Sequence, residues 1–266
     1  MKKTFFLLFF LSLFSNTFSQ DNNIQAIFDS IITEGELLYR YEKSVWNSTD
    51  LLMEDNKLKQ QYGGYLVSHL NDTILVTYID KDQKGSIARY KYIADKFNQP
   101  HSLSLEYSPL DALEQELLDI KIKIINQLPD KKYSISFPEK FNPNLVLIKG
   151  ENEFRFYILM GTAQSGIIPF GNDYFFRTDI SGNIREWKKF HSVMIPAETK
   201  GPKGEIVISV IHSHLKSTPY ITATDICTFR LYAGLSEIQE FMVASAATGQ
   251  IYKYNLKTNK IQIVDQ

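Results

Sequence analysis

From residue 65 to residue 264 the chain is cut into short runs of β-branched and aromatic residues by turn-forming pieces: Asn71-Asp72, Gly150-Glu151-Asn152, Ser181-Gly182-Asn183, Ala247-Thr248-Gly249 and Lys257-Thr258-Asn259. Runs of this kind satisfy their backbone by pairing as strands, so most of the chain must be sheet. Three stretches read otherwise. Ile24, Ile27, Phe28, Ile31, Ile32 and Leu38 recur at helical spacing across 24–41, with acids between them. Leu113, Leu117, Ile120, Ile124 and Leu128 do the same after Ser108-Pro109-Leu110-Asp111, where a serine cap and a proline at the first helical position predict a helix start. Residues 222–232 turn helical before Gly234. Helices set before, and inserted between, groups of strands define an α+β chain.

The first half, 20–130, reads as a helix followed by an antiparallel meander over 65–70, 73–79 and 86–93, a module to which the residues assign no role. Pro129, Pro138, Pro143 and several lysines mark 131–143 as a linker. The second unit, 144–266, carries strands expected at 145–149, 154–161, 172–179, 184–195, 206–211 and three short ones at the end. The mostly apolar run 206–211 predicts a strand in the middle of its sheet.

Lys2 and Lys3, the apolar run 5–14 and the small residues of Thr17-Phe18-Ser19 have the pattern of a secretory leader over 1–19, cut before Gln20. The run is too short to span a bilayer. A periplasmic or extracellular location is therefore expected, and Cys227, the single cysteine, can form no internal disulfide there. With 29 basic against 30 acidic residues the chain has no basic footprint for nucleic acid.

The chemistry concentrates after residue 200. His212-Ser213-His214 ends the apolar run, and on a strand residues i and i+2 leave the same face, so both imidazoles reach one point. Thr222-Ala223-Thr224-Asp225 opens the helix that follows. If that helix packs across the strand end, Asp225 adds a carboxylate oxygen, and two nitrogens with one oxygen leave a tetrahedral position for the water of a catalytic Zn²⁺. The same Thr222-x-x-Asp225 is also a helix-capping pattern that needs no metal. His191, on the expected strand 184–195, has two readings: a contact to this site or a surface histidine. Cys227 reads as a buried small hydrophobe.

This spacing, His-x-His, seven residues, a hydroxyl residue, two residues, Asp, resembles that of the JAMM (MPN-plus) zinc metallopeptidases. The similarity covers roughly the last 120 residues, 145–264, and extends less specifically over the helix and the strand, Thr-Gly turn and strand that follow. It implies a mixed-sheet JAMM-like domain with His212, His214 and Asp225 on zinc, Thr222 in place of the family's oxyanion serine, and hydrolysis of a peptide or isopeptide bond, in an exported protein one of the cell envelope or of a secreted peptide. It also implies a glutamate as general base on an earlier strand. Asp173 is the first candidate for that role and Glu153 the second; the alternative for Asp173 is a turn at Gly171-Asn172-Asp173, and for Glu153 a solvated hairpin end. Without such a base the domain would be a non-catalytic binding or assembly module. Lys216 and Ser217 after His214 exclude the His-x-His-x-Asp-His spacing of metallo-β-lactamases.

Overall fold

The computed structural model describes residues 4–93, 96, 97 and 99–264, with side chains from residue 23 onward. The expected leader at 1–19 and its cleavage before Gln20 lie outside the residues whose side chains are described. The elements in order are α1 (Thr4–Glu54), α2 (Asn56–Gln61), β1 (Tyr62–Leu70), β2 (Thr73–Asp80), β3 (Gly85–Ile93), β4 (Ser102–Ser104), β5 (Ser108–Pro109) and α3 (Ala112–Gln127). They continue with β6 (Asn142–Lys149), β7 (Glu153–Gly161), β8 (Ile167–Gly171), β9 (Tyr174–Asp179), β10 (Ile184–Lys189) and β11 (Met194–Glu198). The chain finishes through β12 (Ser209–His214), α4 (Ala223–Ala233), β13 (Glu240–Ser245), β14 (Ile251–Asn255) and β15 (Lys260–Val264). The class is α+β, as the residue pattern predicts.

The meander β1-β2-β3 forms as expected and is extended by the short β4 and β5. A second antiparallel sheet has the order β10-β9-β7-β6, and β8 and β11 form a two-stranded sheet. The last sheet, β12-β13-β14-β15, is mixed: β12 and β13 run parallel, joined by a crossover through α4, while the rest are antiparallel. The parallel pair needs such a crossover, because a tight turn can only reverse the chain.

Three apolar clusters hold these layers. One gathers Leu38 and Tyr41 of α1, Val76 and Tyr90 of the meander, Val146 and Tyr157 of the second sheet, and Cys227 of α4. Another sets α3 against the second sheet through Leu117, Ile124, Phe156 and Phe176, and includes Tyr133 from within the expected linker. The third packs Phe28 of α1 and Phe229 of α4 on Phe241 and Tyr254 of the last sheet.

Four local differences from the residue pattern have physical causes. Helix α3 is capped by Asp111, whose carboxylate accepts from the Glu114 N–H while Glu114 reaches back to the Asp111 N–H, and the Ser108-Pro109 pair instead forms the edge strand β5 on β3. The continuous strand expected at 184–195 is broken into β10 and β11 by a bend at residues 190–193. The strand expected to begin at 172 begins at Tyr174, because Gly171 and Asn172 both adopt positive φ (84° and 50°) and turn the chain. Finally, β12 lies at the edge of its sheet, with Ile211 more than half exposed and Ile206 and Ile208 exposed just before it. An apolar run signals a central strand only when both faces are covered, and here one is not.

Candidate metal centre

The site lies where β12 ends, α4 begins and two bends meet. His212 and His214 point to the same side of β12 and are buried, while Ser213 between them is exposed. Behind His212 stand Phe170 and Phe241, the latter ring nearly parallel to the imidazole. Asp225 arrives from the first turn of α4. Thr222 caps that helix: its hydroxyl accepts from the Asp225 N–H, and Asp225 Oδ2 accepts from the Thr222 N–H at 2.9 Å and from the Thr222 hydroxyl at 2.7 Å. The capping pattern and the convergence on the histidines are thus both present in one carboxylate, Oδ2 taking the capping bonds and facing His214, Oδ1 facing His191 and His212.

His191 supplies what the residue pattern left open. The bend at 190–193 turns it inward, and it is 3% exposed, with its Nε2 2.8 Å from that of His214. This bend is seated against the Gly171-Asn172-Asp173 corner. The Asn172 N–H donates to the Val193 carbonyl at 3.0 Å and the Phe190 N–H to the Asp173 carbonyl at 3.2 Å. A Cβ at position 171 would lie 2.4 Å from the Val193 oxygen and 3.3 Å from the His191 Cβ, so glycine is required both for its φ and for the close approach. Asp173 lies behind His191: Oδ1 accepts from Nδ1–H at 2.7 Å, and Oδ2 accepts from the Thr224 hydroxyl.

The tautomers follow from these partners. Carbonyl and carboxylate oxygens only accept, so His214 Nδ1, 2.7 Å from the Tyr220 carbonyl, and His191 Nδ1, against Asp173, must both carry hydrogen. In neutral rings the two Nε2 atoms are then both lone pairs, facing each other at 2.8 Å. Two acceptors at that separation repel unless a cation lies at their meeting point. His212 Nε2 is 3.1 Å from His214 Nε2; Asp225 Oδ1 is 3.4 Å from the Nε2 atoms of both His191 and His212, and Oδ2 is 3.4 Å from that of His214. Asp225 Oδ1 is buried and has no hydrogen-bond partner among the described residues. A tetrahedral ion with bonds of about 2.0 Å has donor-to-donor edges of about 3.3 Å, close to these separations.

Four residues, His191, His212, His214 and Asp225, therefore lie close enough to hold a metal ion, their ligand atoms all within 4.8 Å of one another. The protonation pattern agrees. Burial alone would lower the His191 pKa, but the carboxylates of Asp173 and Asp225 outweigh it and raise it to about 9, so that without a metal this ring tends to take up the missing positive charge as a proton. Burial works against ionised Asp225, yet His191 and His214 hold its carboxyl well below the usual range.

The remaining candidates are placed as follows. Thr222 is the cap of α4, its hydroxyl directed at Asp225. Asp173 supports His191 with both oxygens engaged. Glu153 opens β7 among Arg177 and Arg155, at 3.3 and 3.8 Å, in the manner of a solvated hairpin end. Cys227 is fully buried, and burial pushes its thiol well above the ordinary range. A cavity of about 630 Å³ adjoins the start of α4, lined by Thr222, Ile221 and Thr218 on one side and Trp187 and Phe190 on the other. No family model, curated protein or solved structure matches this chain.

Proposed function

We propose that the chain is a zinc protein whose centre is closed by four protein donors, a binding or assembly module rather than a hydrolase. The observation that carries this reading is His191. It occupies the position that a three-residue catalytic site leaves for water, and Asp173 fixes it there through Nδ1–H, the arrangement that orients metal-ligating histidines generally. Three imidazoles and a carboxylate, all buried, suit Zn²⁺, which favours four-coordinate nitrogen and oxygen sets. Asp173 is engaged by His191 and Thr224, and Asp225 by Thr222 through Oδ2 with Oδ1 left for the metal, so neither serves as the base that takes a proton from water. In this role the ion ties the β10–β11 bend, the end of β12 and the start of α4 together. Export to the periplasm or beyond, from the leader pattern at 1–19, belongs to the same reading.

A second reading is favoured by the JAMM-like spacing of His212, His214, Thr222 and Asp225 and by the cavity beside Thr222. It is zinc-dependent hydrolysis of a peptide or isopeptide bond, in which the zinc would supply an acidified water and polarise a carbonyl. Zinc content of the purified protein, measured with activity on a library of peptide and isopeptide substrates, separates the two. One equivalent of zinc without turnover supports the closed centre, turnover lost in His212→Ala establishes the hydrolase, and protein that takes up no metal removes both.

A further inference from the structure

A cavity independent of the metal centre lies between α1, β1, α3, β6 and α4. Its volume is about 660 Å³, within the usual range for small-molecule sites, and none of His191, His212, His214 or Asp225 lines it. One wall is aromatic: Trp46 and Tyr232 pack with ring centroids 5.4 Å apart. Two charged residues line the same space. Glu42, one helical turn before Trp46 on α1, is 5% exposed. Lys121 of α3 donates from Nζ to the Tyr65 carbonyl at 3.0 Å, its one hydrogen bond among the described residues, and lies over the Tyr65 ring at 4.4 Å from its centroid.

Opposite charges this close to one cavity usually neutralise each other directly, yet among the described residues neither has an ion-pair partner within 4 Å. The Asn144 amide beside Glu42 gives it only a neutral partner. A buried carboxylate with no direct ion pair is costly, and burial raises the Glu42 pKa to about 7 even though the more distant Lys121 charge and Asn144 oppose the shift. A guest carrying both an ammonium and a carboxylate would satisfy both groups at once while covering the aromatic wall.

We propose that this cavity binds a small zwitterion with an apolar side chain, of the amino acid or short-peptide class, its ammonium on Glu42, its carboxylate on Lys121 and its apolar part against Trp46 and Tyr232. This goes beyond the metal-centre reading and stands without it.

The test is calorimetric titration of the full mature chain with L-phenylalanine, beside phenethylamine and 3-phenylpropionate, which each keep one charge. L-Phenylalanine is expected to bind at least about tenfold more tightly than either half-ligand, the amount one charge-assisted contact supplies. Glu42→Gln should weaken L-phenylalanine and phenethylamine but leave 3-phenylpropionate unchanged, and Lys121→Met should do the reverse for the two half-ligands. Binding unchanged in His212→Ala separates this site from the metal centre. Half-ligands that bind as well as L-phenylalanine, equal loss of all three probes in both variants, or no saturable binding up to about 10 mM would overturn the proposal.

Discussion

The Nδ1–H of His191 donates to Asp173 Oδ1 at 2.7 Å, and this one bond sets which nitrogen of the imidazole faces His214. The two residues stand on separate bends, the break between β10 and β11 and the corner between β8 and β9, so the centre depends on how those bends dock. Replacing Asp173 by Ala should leave all four donors in the chain yet weaken zinc binding by about 10- to 100-fold, the usual effect of losing such a support. Competition against a chromophoric chelator reads this directly; affinity equal to that of the parent would mean that His191 is oriented by packing alone.

Asp225 both caps α4 and faces the histidines, and a substitution can separate the two tasks. In Asp225→Asn the amide oxygen can still accept the capping bonds from Thr222 while the charge facing the histidines is gone. Zinc should be lost with little change in the stability of the metal-free protein. Thr222→Ala should show the converse, a loss of about 1 kcal/mol of stability from the helix cap with most of the zinc retained. Metal content and urea unfolding on the same two samples decide the matter; a variant that moved both quantities equally would show that cap and centre are one unit.

Gly171→Ala should damage the centre without touching any donor. The added carbon meets the Val193 carbonyl and must also hold a left-handed φ, a combination expected to cost about 1–3 kcal/mol. The bend carrying His191 is what would move. A lower unfolding midpoint together with a reduced zinc equivalent is the expected result, and an unchanged metal content would show that the bend is held by other contacts.

Removing zinc should destabilise the fold, since four bonds joining the β10–β11 bend, β12 and α4 are then replaced by at most one proton on His191. A chelator-treated sample is expected to melt several degrees lower and to recover on adding one equivalent of zinc. Identical melting with and without chelator in a protein shown to contain zinc would count against a structural role.

Glu42 gives a pH dependence of definite sign. Burial raises its pKa from an ordinary 4.5 to about 7, with Lys121 and Asn144 opposing the shift. Between those values the folded protein keeps a proton that the unfolded chain has lost, so this group's contribution to stability is full below about pH 4.5, falls as pH rises and levels off above about pH 7. On the order of 2–3 kcal/mol should be lost from about pH 5 to about pH 8, and Glu42→Gln should abolish that slope. Urea midpoints of both proteins across the range provide the check, and parallel curves would refute the assignment.

How much of this could be read in advance differs by residue. The meander, the two later helices and the pairing of His212 with His214 follow from periods of 2 and 3.6, which side-chain chemistry imposes locally. Asp225 was legible for the same reason, being three residues beyond a capping hydroxyl. His191 was ambiguous because its inward turn depends on Gly171 and Asn172, twenty residues away, and nothing in the run 184–195 marks the break. The signal that existed was the Gly171-Asn172-Asp173 turn itself, whose tight corner implies that another part of the chain comes close. The edge position of β12 was hidden for a related reason: an apolar run does not disclose which of its faces remains uncovered.

The donors also differ in when they exist together. All four lie between residues 191 and 225, whereas the parallel pairing of β12 with β13 cannot close until residue 245 has been made. A growing chain therefore has its complete ligand set before the sheet that will surround it. An ion captured at that stage would fasten the short loop first and leave the costly long-range pairing to a partly ordered chain, so metal supply should govern the rate of refolding as well as the final stability.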